Sequence, residues 1–156
     1  MIRKGSAMRV TASSNREPEP LALDAFEQLG AFVLRMESAP DAVELSVALV
    51  GEDEIANLNE RYRGIAGPTD VLSFGCDDVC PSASDEPIAL GDVIIAPEVA
   101  RRQAEELGFT VEEELDLLLV HGILHLLGYE HDSDTDAAVM QERESALLAA
   151  WSEAGR

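Results

Sequence analysis

Positive charge is scarce in this chain. Eleven Lys and Arg stand against 31 Asp and Glu, a formal net charge of −20, so the surface as a whole disfavours RNA, DNA and anionic lipid. Nucleic-acid chemistry would need a local cationic patch, and two arginine pairs stand out, Arg61/Arg63 and Arg101/Arg102. Cysteine is scarcer still. Cys76 and Cys80 lie close together in a loop-like stretch, too few for a disulfide scaffold or a four-cysteine zinc site, and they read as reduced thiols. Long apolar runs are missing as well, since charge interrupts each one far short of the ~20 residues a membrane helix needs. Met1–Arg9 carries Arg3, Lys4 and Arg9 but no apolar stretch, so it is no secretory signal and a cytoplasmic location is expected. Met8 can serve as the start, with Met1–Ala7 as a lead segment.

What remains is a foldable chain. Its 156 residues, 46% of them hydrophobic, suit one domain with a real core, and no repeat is visible. Met8–Ala12 reads as a first strand and Ser13–Pro20 (SSNREPEP) as a linker. The expected organisation is an N-terminal segment over 1–20 and a single catalytic domain over 21–156. Leu21 to about Ser38 has helical spacing, and Val43–Val50 alternates as a strand does. Gly51–Tyr62 opens on three acids that suit a helix start. Asp70–Phe74 and Gly91–Ala96 are two more strands, flanking a loop at Cys76–Pro87. Pro97 and Gly108 bracket a helix, Thr110 and Glu113 have capping-box spacing for another to about Leu127, and Asp134 caps a last one. The pattern predicts an α/β (α+β) fold, a small mixed sheet of about four strands with helices packed on it and a central metal-bearing helix.

The metal enters through histidine. The chain has three, His121, His125 and His131, all inside one short stretch. Residues four apart on a helix share a face, and Gly128 ends the helix so that His131 can turn back toward it. The bland reading is a set of core histidines, because the flanking residues are almost all leucine, valine and isoleucine. Burying several unpaired imidazoles is costly, whereas one ion satisfies all three. One divalent ion, zinc by ligand type, with an open position for water, is the expectation. The spacing H-x3-H-x2-G-x2-H also suits zinc peptidases, but these carry a glutamate general base directly after the first histidine, and here that residue is Gly122.

With HGILHLLGYEHD at 121–132, the chain resembles the YbeY family of metal-dependent endoribonucleases in ribosomal RNA maturation. Glu130 stands where the family usually has Asp. Two further blocks agree in order: Asn59, Tyr62-Arg63-Gly64 and Pro68-Thr69-Asp70-Val71-Leu72-Ser73-Phe74, then Leu90-Gly91-Asp92-Val93-Ile94-Ile95. The resemblance implies single-strand-directed RNA cleavage, with ribosomal RNA as substrate and a ribosomal protein or assembly GTPase as partner. It makes Arg63 the candidate cation for the phosphate, since a guanidinium fork fits phosphate oxygens and stays charged. A structural ion pair between Arg63 and Asp70 is the competing reading. Asp92 is a candidate for orienting a ligand histidine, or else a turn residue. Ser73 and Thr69 are candidates for lining the RNA path.

Two other functions stay open at this point. One is a zinc hydrolase of another class, peptidase-like in ligand spacing but without the glutamate base. The other is a non-catalytic ribosome-assembly factor whose metal is structural.

Overall fold

The computed structural model describes residues 8–15, 23–75, 88–130 and 132–154. Its elements follow the expected order: β1 (Arg9–Ser14), α1 (Leu23–Met36), β2 (Val43–Leu49), α2 (Glu52–Arg63), β3 (Val71–Gly75), β4 (Ile88–Ile95), α3 (Pro97–Leu107), α4 (Val111–Leu126) and α5 (Asp134–Glu153). The sheet order is β1-β2-β4-β3, with β1, β2 and β4 parallel and β3 antiparallel to β4. The result is an α/β fold on a four-stranded mixed sheet.

Val43, Leu45, Val47 and Leu49 of β2 point to one face and pack with Val93 and Ile95 of β4. Helices α1 and α4 cover that face and α5 packs on both, with Phe26, Leu29, Leu119, Ile123 and Trp151 in the same core. The opposite face carries a smaller cluster of Val50, Ile55, Leu72 and Ala96 that seats α2. Helix α4 runs through the main core, with Leu115, Leu119, Val120, Ile123 and Leu124 fully buried. Each such side chain contributes about 1.5–3 kcal/mol relative to exposure, which fixes the helix firmly against the sheet. The Thr110–Glu113 capping box is formed, at 2.9 and 3.0 Å.

Three boundaries differ from the sequence reading, each for a local reason. Strand β1 continues through Ser13 and Ser14, which pair with Ala48 and Leu49, so the polar serines are strand rather than linker. Strand β4 begins at Ile88, not Gly91. A bulge there sets Glu44 opposite Ala89 but Leu45 opposite Gly91, which breaks the alternation that marks a strand. Gly91 has φ 148°, and a Cβ on it would stand 2.3 Å from the Phe74 carbonyl oxygen, so only glycine lets β3 approach. At the last helix the cap is Ser133, whose hydroxyl accepts from the Asp136 amide at 3.1 Å, and Asp134 is the first helical residue. The Cys76–Pro87 loop and residues 16–20 of the expected Ser13–Pro20 linker lie outside the described residues. No helix among the described residues is long and apolar enough to cross a membrane.

Candidate active site

His121 and His125 stand one turn apart near the C-terminal end of α4. Their rings meet nearly edge to face, 84° between planes and 4.6 Å between centroids. Each ring is held from behind. The Nδ1 of His121 lies 2.5 Å from Oε2 of Glu144 on α5, and the Nδ1 of His125 lies 3.0 Å from the Tyr129 carbonyl oxygen. An Nδ1 facing an acceptor carries the ring proton, which leaves the lone pair on Nε2. The two Nε2 atoms face one another at 3.1 Å. With Zn–N bonds of about 2.0–2.1 Å, two ligands of a tetrahedral ion are about 3.3–3.4 Å apart, so the pair fits one edge of such a site.

The chain reversal after α4 shapes the second support. The Tyr129 amide donates to the Leu124 carbonyl at 3.0 Å, with Gly128 at φ 107° making the turn. The Tyr129 hydroxyl donates to Oε1 of Glu37 at 2.8 Å, and Arg143 Nε reaches Oε2 of the same carboxylate at 2.5 Å. The donated bond to Glu37, then burial, push the Tyr129 phenol above its ordinary range. His131, the third expected ligand, lies outside the described residues. Among the described residues, no group of three His, Cys, Asp or Glu is placed to hold an ion.

Both histidines open into a cleft of about 750 Å³ shared with Tyr62, Arg63, Thr69 and Ser73. Arg63 is exposed at the end of α2. Its Nη1 donates to Oδ1 of Asn59 at 3.4 Å, while the Asn59 side-chain amide donates to the Gly67 carbonyl at 2.9 Å. Asn59 itself is buried, so the arginine rises from a fixed base. Asp70 is occupied elsewhere, its Oδ1 accepting from the Val71 amide at 2.7 Å and from Thr69 Oγ1 at 3.4 Å. An Arg63–Asp70 ion pair is therefore not formed. Ser73 lines the cleft but its hydroxyl donates to the Gly122 carbonyl at 3.0 Å, which ties β3 to α4.

Gly122 has a packing reason of its own. A Cβ there would stand 2.7 Å from Val93 Cγ1 and 3.1 Å from Ser73 Oγ. The position that carries the peptidase base has no room for a side chain.

Asp92 is not among the described residues that line the histidine cleft. It pairs with Phe74 and lies between Gly91 and the buried Val93, exposed on the sheet face opposite α4. The carboxylate that meets His121 is Glu144, which the sequence reading missed. Its signal was present: Met140, Glu144, Leu147 and Trp151 form one buried stripe at helical spacing, with an acid among apolar residues. The other arginine pair serves structure in part, since Arg102 forks onto Glu52 at 3.0 and 2.8 Å and joins α3 to α2.

Glu114, two turns before His121, was also missed. It is only 4% exposed and its Oε1 has no hydrogen-bond partner. Burial, and then the charge of Asp70, hold its carboxyl above the ordinary range. It borders a second cavity of about 360 Å³, which His121, Gln141 and Glu144 also line.

Known proteins share this chain's pattern over nearly all its length. The family model described as Endoribonuclease YbeY matches residues 11–152. An Endoribonuclease YbeY of Thermobifida fusca is 42% identical over 141 residues, covering 88% of this chain and 91% of that protein. One from Frankia alni is 48% identical over 129 residues, covering 79% and 71%. The solution structure of TM1509 from Thermotoga maritima superposes with a TM-score of 0.58 at 26% identity, covering 94% of this chain and 92% of that one. A match running from β1 into α5, and so across both histidines and Arg63, makes this chain a member of the YbeY endoribonuclease family.

Proposed function

We propose that this protein is a metal-dependent endoribonuclease that cleaves single-stranded regions of ribosomal RNA during ribosome maturation. The observation that carries the metal is the Nε2 pair at 3.1 Å, with both Nδ1 atoms committed to acceptors. With both Nδ1 atoms turned to acceptors, the two Nε2 atoms converge on one side, the arrangement in which imidazoles take a shared cation. His121, His125 and His131 are the proposed ligands, and the all-nitrogen set favours zinc over hard cations such as magnesium. When bound, the ion supplies Lewis acidity toward a phosphoryl oxygen and lowers the pKa of a water.

The chain's own groups do the rest. Glu144 fixes the tautomer of His121 and offsets the positive charge gathered there. Arg63 sits across the same cleft with exposed N–H groups, suited to the second negative charge that a phosphodiester gains on the way to cleavage. Thr69 stands at the cleft wall, where its hydroxyl can meet a ribose or phosphate oxygen. With a net charge of −20, free RNA should bind weakly and salt-sensitively, so delivery by a ribosomal protein or an assembly GTPase fits this enzyme. Such a role belongs in the cytoplasm.

The peptidase-like alternative loses support at Gly122, where a glutamate side chain cannot be seated. The purely structural-metal alternative fits poorly with two Nε2 atoms that open into a cleft. The test is side-by-side metal content and cleavage of single-stranded and duplex RNA by the wild type, His121→Ala and Arg63→Ala. Cleavage lost in Arg63→Ala with the metal retained supports the nuclease. Undiminished cleavage by His121→Ala in the presence of a chelator overturns the metal mechanism.

A further inference from the structure

Tyr62 is 60% exposed at the rim of the histidine cleft, one residue before Arg63. A single exposed aromatic means little by itself. This one is held in place while its surface stays wet. Phe74 of β3 meets its ring at 5.3 Å and 68°, and the Arg61 guanidinium carbon lies 5.9 Å from its centroid. Ordered rings of this kind bind flat partners at small entropic cost. The flat partner available to a ribonuclease cleft is a nucleobase.

Charge points the same way. Among the described residues that line the cleft, Arg63 is the one arginine or lysine, and Asp70 carries the opposite charge. Phosphate contacts through one arginine give only a weak, salt-sensitive hold on a strand beside a net charge of −20. Stacking adds a contact that does not depend on charge.

We propose that Tyr62 is a stacking platform for one unpaired nucleobase of the strand whose phosphate meets Arg63. The inference rests on the endoribonuclease reading and adds to it a physical source of strand preference. A base inside a duplex has both faces covered by its neighbours, whereas an unpaired base can leave the stack and lie on the ring. Base–aromatic stacking is worth about 1–3 kcal/mol, which converts to about 5- to 150-fold in affinity.

The experiment uses single-stranded oligoribonucleotides carrying one 2-aminopurine, or one abasic site, at successive positions. Wild type, Tyr62→Phe and Tyr62→Leu are compared by fluorescence and anisotropy on mixing, before turnover, with thermal melts to show that all three are folded. The expected result is quenching at one position, kept in Tyr62→Phe and lost in Tyr62→Leu, with affinity lower by about 5- to 150-fold in the leucine variant. Removing the base at that position should weaken the wild type and leave Tyr62→Leu unchanged. Equal binding by all three proteins, or an equal penalty for base removal in all three, overturns the proposal. Binding and quenching by a wild type that cuts no RNA would keep the platform and remove the nuclease reading.

Discussion

Glu144 reaches from α5 to within 2.5 Å of the Nδ1 of His121, so the last helix of the chain decides which nitrogen of that imidazole faces the cleft. Groups that hold a ligand histidine in this way typically change metal affinity 10–100-fold when removed. Glu144→Ala is expected to weaken the metal by about that factor, measured by competition with a chromophoric chelator. Glu144→Gln should lose less, because an amide oxygen still accepts from the ring. Unchanged affinity in both variants would show that the carboxylate is there only for packing.

In the proposed mechanism, Arg63 is the residue that separates binding of the ion from chemistry on the phosphate. Arg63→Ala should lower RNA cleavage by about 100-fold or more, the scale seen when one charge-stabilising donor is removed. Metal content should not move. Arg63→Lys is expected to recover little, since a point charge cannot reproduce the planar fork. Full rescue by lysine would argue for simple charge attraction instead.

Gly122→Ala is a test of packing. Its methyl would press on Val93 and on the Ser73 hydroxyl, and overpacking of this kind costs about 1–3 kcal/mol. Denaturant melts of the two proteins measure it. A variant as stable as the wild type would mean that β3 and β4 give way easily, and that the space for a larger side chain exists after all.

Glu114 makes stability depend on pH in an unusual direction for a carboxylate. Its folded pKa is raised, by burial first and by Asp70 second. The folded state therefore keeps a proton that the unfolded chain has already lost, and stability falls as pH rises through that window. Below the unfolded carboxylate pKa the effect vanishes. Glu114→Gln should match the wild type near pH 4 and exceed it at neutral pH, read as the difference in Tm across a pH series. A constant difference at every pH would assign the effect to packing.

Much of this molecule could be read from its residues, and the failures have physical causes. Pro97 and Gly108 bound α3, and Thr110 with Glu113 opens α4, because caps are written locally. The start of β4 was hidden by the bulge at Gly91, where pairing with β2 rather than alternation defines the strand. The face that Asp92 occupies was not legible, because period-two alternation tells which residues share a face but not which face meets α4. Glu144 was lost in an acidic background of 31 Asp and Glu, and only its place in the Met140–Trp151 stripe marks it as buried. Tertiary contacts decide such cases.

The doubly held Glu37 carries a consequence for how the enzyme ages and fails. It anchors both Tyr129 and Arg143, which belong to the reversal behind His125 and to the helix behind His121. Damage at Glu37, just past the end of the first helix, would thus reach the supports of both imidazoles through one shared carboxylate. If the histidines hold an ion as proposed, heating is expected to release it before the sheet melts, so that loss of cleavage precedes global unfolding.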